Sequence, residues 1–345
     1  MRSRKKQTAT SWTVAREAGV SQSTVSRALR GDPRVAEETR RKIDESARRL
    51  GYAAPRSELQ PASSRRSRTI GIVVADLTNP FFPHQLQPLY DEFQLLDYRV
   101  VLFVERSDTP SGYEGLKRLL DRSVDGVLLT TGTLGSQIPS LVQEKGIPLV
   151  QLTRYIDDLD ADRVVSDNRG GALAAARYVL GLGHRRIGMI SGPGNTSTQR
   201  DRLLGMTEAL EEVGLTLESR FMKQGGFTHH AGYQFATELL SLSERPTVIF
   251  CANDVLAFGA LDAAKALGVR VPADVSIVGF DDIPMAAWES FQLTTVNQPA
   301  AEMARSAARM LAERIESVED VGPGRTRVFL ANLVKRDTVA GPPSQ

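Results

Sequence analysis

From Thr69 onward, short β-branched and aliphatic runs alternate with stretches of helical periodicity, and this alternation constrains the fold more than any other feature of the chain. Strands are expected at Ile70–Ala75, Val100–Val104, Gly126–Thr130, Pro148–Leu152, Ile187–Ser191, Val248–Cys251 and Ser276–Phe280. Helices are expected between them, near Phe82–Leu96, Tyr113–Arg122, Gly170–Leu182, Arg200–Val213, His230–Leu242 and Val255–Leu267. Such a pattern predicts an α/β fold of parallel sheets covered by helices on both faces. Two similar openings, Thr69-Ile70-Gly71-Ile72-Val73 and Arg186-Ile187-Gly188-Met189-Ile190, predict two lobes. Parallel sheets bind ligands at the carboxyl ends of their strands, so two lobes facing each other there make a cleft that closes by hinge motion.

The segment ahead of this body differs in charge. Residues 1–69 carry 17 Lys/Arg against 7 Asp/Glu (+10), and the other 276 carry 26 against 34 (−8). The asymmetry points to a head that meets a polyanion. Its pattern is that of three short helices. Thr10 or Ser11 can cap a first helix ending at Ala18, with Val14, Ala15 and Ala18 on its apolar face. Gly19 breaks it, and Ser21 can cap a second helix over Gln22–Leu29. There Val25, Ala28 and Leu29 share one side, while Gln22, Ser23, Ser26, Arg27 and Arg30 form a polar stripe almost free of acid. A third helix starts near Ala36 and closes the core with Ile43, Ala47 and Leu50, with Arg40, Arg41, Lys42, Arg48 and Arg49 outside. A helix-turn-helix needs this arrangement, with one face packed inward and the other offering donors to bases and phosphates.

The head resembles that of the lactose/galactose repressor family. The resemblance rests on Val14-Ala15-Arg16-Glu17-Ala18-Gly19-Val20-Ser21, Thr24-Val25-Ser26-Arg27-Ala28-Leu29, Thr39-Arg40-Arg41 and Leu50-Gly51-Tyr52. It implies that Gln22, Ser23 and Arg27 read base edges in the major groove, with Thr24, Ser26 and the backbone near Ser21 on phosphates. Arginine suits the guanine O6/N7 edge and glutamine suits adenine, whereas phosphate contacts set position without reading sequence. Two departures from the family pattern, Ser11 in an apolar position and Ala36 in a capping position, are expected to weaken the head slightly. Residues 53–69 are rich in Pro, Ser and Arg and mark a linker between a head of residues 1–52 and a body of 70–345. The resemblance implies a hinge helix that wedges a leucine into the minor groove. Leu59 is the nearest candidate, but Pro61 occupies the family spacing from Tyr52, so a plain flexible tether remains the alternative.

The resemblance continues through Ile70-Gly71-Ile72-Val73-Val74-Ala75-Asp76-Leu77-Thr78-Asn79-Pro80-Phe81-Phe82, Asp125-Gly126, Asp167-Asn168, Gly181-Leu182-Gly183-His184-Arg185-Arg186-Ile187-Gly188, Ala252-Asn253-Asp254, Val278-Gly279-Phe280-Asp281-Asp282 and Leu293-Thr294-Thr295, nearly the whole chain. It implies a periplasmic-binding-protein-like body, with lobe one at about 70–168 and 298–328 and lobe two at about 169–297 and 329–340. Polar groups stand at strand ends at Asp76, Asn79, Arg154, Thr198, Arg202, Asn253, Asp254 and Asp281. By position, the family's effector contacts fall on Asn79, Phe81, Phe82, Thr198, Arg202, Phe227, Asn253, Asp281 and Gln298. Such a set suits a sugar: paired donors and acceptors match vicinal hydroxyls, and Phe227 packs on the ring face. Thr153 stands where many members have an aspartate, which makes the pocket less anionic and favours a sugar acid or sugar phosphate. Asn79-Pro80 can equally be a turn and Asp254 a helix cap, while Asp282 is expected to support its loop.

Other functions lack motifs. No Gly-rich Lys-Ser/Thr loop, Gly-x-Ser-x-Gly elbow or His-Glu-x-x-His is present, and Gly192-Pro193-Gly194 is a weak phosphate signal by itself. His229 and His230 are adjacent, so a helix points them roughly 100° apart, a poor metal pair. Neither catalysis nor a metal nor a cofactor is expected. The lone Cys251 lies in an apolar run and reads as a buried thiol. No apolar stretch approaches the ~18 residues of a membrane span, and the basic start lacks the apolar core of a signal peptide. A periplasmic sugar-binding protein, the nearest rival, is disfavoured by the head. The expectation is a cytoplasmic regulator, most simply a repressor, that dimerises through its body (a tetramer remaining open) and offers two heads to a near-palindromic operator on double-stranded DNA.

Overall fold

The computed structural model describes residues 10–29, 34–52, 67–75, 77–104, 117, 120, 124–317 and 322–343. The chain falls into two compact units, Met1–Ser67 and Arg68–Gln345.

In the first unit α1 (Ser11–Ala18) begins with a reciprocal cap, Thr10 Oγ1 accepting from Thr13 N–H at 3.3 Å and Thr13 Oγ1 accepting from Thr10 N–H at 2.8 Å. Gly19 ends it at φ +66°, a left-handed conformation open to glycine without steric cost. The chain then enters α2 (Gln22–Leu29), where Ser21 Oγ accepts from Thr24 N–H at 3.2 Å. Together with α3 (Glu37–Leu50) these helices enclose Val14, Ala15, Val25, Ala28, Val35, Ile43 and Ala47. Leu50 does not close this core as expected. It is 37% exposed, because Gly51 turns the chain back and Tyr52, its N–H 2.9 Å from Ala47 O, packs there instead. Ala36 precedes α3 with extended backbone and no side-chain cap. Ala36→Ser should therefore stabilise the head by about 1 kcal/mol, read as greater hydrogen-exchange protection of the first α3 amides.

The second unit contains, in chain order, β1 (Thr69–Val74), α4 (Phe81–Leu95), β2 (Arg99–Val104), β3 (Gly126–Leu129), α5 (Ile138–Glu144), β4 (Leu149–Leu152), β5 (Asp162–Ser166), α6 (Asn168–Gly181) and β6 (Ile187–Ser191). There follow α7 (Ser197–Glu211), β7 (Met222–Gln224), α8 (His229–Leu240), β8 (Val248–Cys251), α9 (Asp254–Ala266), β9 (Ser276–Val278), β10 (Thr295–Asn297), α10 (Ala300–Glu316), β11 (Thr326–Phe329) and β12 (Asn332–Val334). A six-stranded parallel sheet runs β11-β5-β4-β3-β1-β2, and a four-stranded parallel sheet runs β7-β6-β8-β9. An antiparallel ribbon pairs β10 with β12. Runs such as Gly126–Leu129 and Val248–Cys251 are apolar throughout because helices cover both faces.

Several elements fall outside the expected alternation: β5, β7, β10, β11, β12, α5 and α10. Two of them show why the pattern misses them. Strand β5 opens with Asp162, fully buried, whose carboxylate takes Arg314 at 2.6 Å and Arg325 at 2.9 Å. Burial raises the Asp162 pKa, but those two arginines bring it down to about 2. Helix α10 is rich in Ala and Met, and its Met303, Ala307, Leu311 and Ile315 complete the core of the six-stranded lobe beside Ile70, Ile72, Leu128 and Val150. Most of the helix expected at Tyr113–Arg122 lies outside the described residues. The chain passes between lobes after β5, between β10 and α10, and between β11 and β12. Phe81 and Phe82, on the first lobe's α4, are buried in one apolar cluster with Ile190, Leu256 and Ile283 of the second. Their burial contributes roughly 1.5–3 kcal/mol each to holding the lobes together.

Candidate functional site

On the head, α2 turns Val25 and Ala28 inward and leaves Ser23 and Arg27 exposed, with Gln22, Thr24 and Ser26 half-buried at the margin. Gln22 Nε2 donates to Ser11 Oγ at 3.3 Å, so the polar residue at position 11 has a use: it orients the first amide of the stripe. Thr24 Oγ1 and Ser23 Oγ both contact the Ser21 hydroxyl, at 2.7 and 2.8 Å. Several cations on α3 are balanced locally, Lys42 by Glu38 at 2.9 Å and Arg41 by Glu45 at 3.9 Å, while Arg49 pairs with Glu17 of α1 at 3.3 Å. Arg27 has no such partner among the described residues. The face of α2 thus presents an uncompensated cation beside uncharged donors. Arg30 and Leu59, the other expected DNA contacts, lie outside the described residues.

In the body, the carboxyl ends of the two sheets frame one cavity. Of the eleven expected effector contacts, ten line it: Asn79, Phe81, Phe82, Arg154, Thr198, Arg202, Phe227, Asn253, Asp281 and Gln298. Asp76, the remaining one, lies outside the described residues. Thr153 also lines the wall. The inner chamber holds about 30 Å³ and opens to an outer chamber of about 400 Å³ that shares Asn79, Phe82, Arg154 and Phe227 with it. The lobes are therefore drawn close around the inner chamber, while the outer one is of small-ligand size.

Arg202, on α7, is the centre of the inner wall. Its Nε donates to Asn168 Oδ1 at 2.8 Å, one Nη to the Ala252 carbonyl, the other to Asp281 Oδ1 at 3.4 Å, and the guanidinium lies 3.7 Å from the Phe280 ring centroid. Gln298 continues the network, its Nε2 donating to Asp281 Oδ1 at 2.6 Å and its Oε1 accepting from Ser166 Oγ at 2.5 Å. Asn168, Ser166 and Gln298 all sit where the chain crosses between lobes, so this network ties the site to the hinge strands. Burial pushes the Asp281 carboxyl up to about 6, against the pull of Arg202 and the Gln298 hydrogen bond. Asp281 stands at φ +123° and Thr153 at φ +72°, conformations that L-residues rarely adopt, as is common at binding sites.

The remaining expectations sort by contact. Asn79 both makes the turn, its Oδ1 accepting from Phe81 N–H at 3.1 Å, and lines the cavity. Asn253, rather than Asp254, caps α9, accepting from Leu256 N–H at 2.9 Å. Asp254 is fully buried, held by Thr295 Oγ1 at 2.5 Å and Ile283 N–H at 2.9 Å. Burial and neighbouring Asp281 push its pKa well up. Asp282 supports its loop, taking Arg336 at 2.7 Å and Asn297 at 3.0 Å. The Gly192-Pro193-Gly194 loop has a packing cause: a Cβ at Gly192 would meet the Phe227 ring at 2.1 Å. His229 pairs with Asp262 at 2.8 Å, and no group of His, Cys, Asp and Glu able to hold a metal occurs among the described residues. Cys251 is buried, which pushes its thiol up. Among the described residues no helix is long and apolar enough to cross a membrane. The contacts missing from the sequence expectation are Asn168, Ser166 and Gln85. None of the three carries a local signal, since each acts through a partner distant in sequence.

A helix-turn-helix head joined to a periplasmic-binding-protein-like body of two parallel sheets defines a class of DNA-binding transcription regulators. Residues 13–54 match the family described as bacterial regulatory proteins, lacI family, and residues 176–339 match a periplasmic binding protein-like domain. The chain is 32% identical over 347 aligned positions to the HTH-type transcriptional repressor CytR of Escherichia coli (strain K12), covering 99% of this chain and 100% of that one. It is 32% identical to the ribose operon repressor of Haemophilus influenzae, covering 94% and 97% of the two chains. Among solved structures, the transcriptional regulator CelR–cellobiose complex superposes with a TM-score of 0.73 at 30% identity, covering 96% of this chain and 99% of that one. A LacI family regulator from Enterococcus faecium with bound ribose gives 0.71 at 28% identity, covering 79% and 99%. The chain belongs to the lacI family of bacterial regulatory proteins.

Proposed function

We propose that this protein is a cytoplasmic transcriptional repressor, without catalytic activity, whose grip on its operator is set by a sugar or sugar derivative bound between the lobes. One observation carries the reading. Ten residues expected to contact an effector, some from their places after strands and the rest from the family resemblance, come from separate segments of the chain and line a single cavity that the hinge strands border. Relatives described as repressors, and solved neighbours holding ribose or cellobiose, support it. The roles follow from chemistry. Gln22, Ser23 and Arg27 read base edges, and Thr24 and Ser26 hold phosphates. Arg202, Asn253, Asp281 and Gln298 take hydroxyls, and Phe227 covers a ring face. A ligand that prefers one lobe angle shifts the population of that state and, through the linkers, the spacing of the heads.

The protein acts as a homodimer. Strand β2 is the edge of the six-stranded sheet, and it exposes Val101, Leu102 and Val104 beside Leu95 and Tyr90 of α4. An exposed apolar sheet edge of this kind calls for a partner. Selection of bound duplexes from a random pool tests the whole reading. A near-palindrome should emerge, bound about 10³-fold or more tighter than scrambled DNA, by a species that sediments as a dimer. Failure of any sequence to be enriched would sink it.

A further inference from the structure

We propose that Arg154 is the receptor for an oxyanion on the effector, a carboxylate or a phosphate, so that the ligand is an acidic rather than a neutral sugar derivative. The inference rests on the sugar reading above and is tested separately from it. Arg154 follows β4 at the mouth of the cleft and lines both chambers. Its guanidinium has no carboxylate within ion-pair distance and no hydrogen-bond acceptor among the described residues; Asp281 reaches it only through its field, and its close side-chain partner is the Phe227 ring, 5.4 Å away across the cleft.

The charges around it are already engaged. Asp281 is held by Arg202 and Gln298. Asp254 is held by Thr295 and Ile283. The residue beside Arg154 is Thr153, whose hydroxyl exchanges hydrogen bonds of 2.9 and 3.2 Å with the amide of buried Gln85 and so faces away from a counter-ion role. Two guanidiniums therefore face the cavity, and the one carboxylate among its described lining residues, Asp281, bonds to Arg202 and reaches Arg154 only through its field. A half-buried cation left in this state is costly unless a ligand completes it. Burial, then the neighbouring Arg202, lower the Arg154 pKa to about 10, the direction expected of a cation awaiting an anion.

The geometry also says where the anion goes. The inner chamber, about 30 Å³, is too small for a sugar ring as it stands, while the outer chamber of about 400 Å³ has the room. Arg154 stands at their junction. An oxyanion there can take the planar guanidinium in a two-pronged hydrogen bond, while Phe227 keeps its face for the ring.

The test uses the full chain and matched ligand sets: D-glucose with D-glucuronate, D-gluconate and D-glucose 6-phosphate, and D-ribose with D-ribose 5-phosphate. Titration calorimetry should find, in at least one set, a charged member bound about tenfold or more tighter than its neutral parent, the least a charge-assisted hydrogen bond contributes. Which charged member binds distinguishes carboxylate from phosphate. Arg154→Gln should remove that preference, and Arg154→Lys, which keeps charge but not the fork, should restore part of it. Thr153→Asp, which supplies an internal counter-ion, should weaken the charged ligand in the same way. If a neutral parent binds as well as its charged partners, or Arg154→Gln weakens both alike, or neither citrate nor any member of the sets binds, the assignment is overturned. Neutral binding without preference would leave the sugar reading standing. Arg154-dependent binding of citrate, run alongside, with no sugar bound, would overturn the sugar reading and leave the anion receptor.

Discussion

Replacing Arg202 with alanine is expected to destabilise the body by about 3–5 kcal/mol, because truncating one partner of a buried ion pair leaves the other charge uncompensated. The side chain is 5% exposed and serves four partners at once: Asn168, the Ala252 carbonyl, Asp281 and the Phe280 ring. Without it Asp281 keeps the Gln298 amide and the field of Arg154. The loss should depend on pH in a definite sense. The folded Asp281 pKa, about 6, lies above its ordinary value of 3.8, so protonation favours the native state and that contribution fades as pH rises through this window. Removing the neighbouring cation raises the folded value further and extends the window upward. The deficit of Arg202→Ala against the unmodified protein should therefore grow between about pH 6 and pH 8. Denaturant melts of the full chain at several pH values measure it. Adding Asp281→Asn to Arg202→Ala should recover part of the loss, since the stranded charge is gone. A variant that melts within 1 kcal/mol of its parent, at every pH, would show that this network does not carry the body's stability. Effector binding should be lost as well, because Arg202 closes the inner wall of the cavity.

That network also shows why part of the site was legible in the sequence and part was not. Asn253 and Asp281 follow an apolar run directly, and Arg154 and Asn79 stand a short way past one; a polar residue just beyond a buried strand in a parallel sheet has few places to point except the ligand end. Phe81, Phe82, Phe227 and Gln298 come from the resemblance alone, since their positions carry no comparable local signal, whereas Thr198 and Arg202 are also marked by the loop and helix that follow β6. Asn168 and Ser166 act by holding Arg202 and Gln298, and a residue whose partner is distant in sequence announces nothing in its own neighbourhood. The same reason hid β5. Its buried Asp162 reads as a loop residue until Arg314 and Arg325, more than 150 positions later, are brought to it. Helix α10 escaped for another cause: Ala and Met pack well against a sheet but leave no β-branched or aromatic mark. The glycine loop before α7 invited a phosphate and turned out to be room for a ring. In the head, by contrast, local rules sufficed. Thr10, Gly19 and Ser21 punctuate the helices through their own caps and turns, within a few residues of where they stand.

Arg27→Ala is expected to cost about 1–3 kcal/mol of operator affinity and to relax base preference at one position of each half-site. The direction of Arg27 is fixed by its neighbours, since buried Val25 and Ala28 lock the rotation of α2 and leave residue 27 on the open side. Its guanidinium is not consumed by an internal acid, unlike Arg41, Lys42 and Arg49, so it brings a full set of donors to the duplex. Whether those donors meet a base or a phosphate separates cleanly in the salt dependence. A base contact removed should leave the slope of log affinity against log salt nearly unchanged while the penalty for one substituted base pair disappears. A phosphate contact removed should lower that slope by about one and weaken every duplex alike. Fluorescence anisotropy on the selected operator and its single-base-pair variants, at three salt concentrations, provides both readings. Undiminished discrimination at every base pair, together with a reduced slope, would move Arg27 from reading the sequence to holding the backbone, and base readout would then fall to Gln22 and Ser23 at the other end of the same helix.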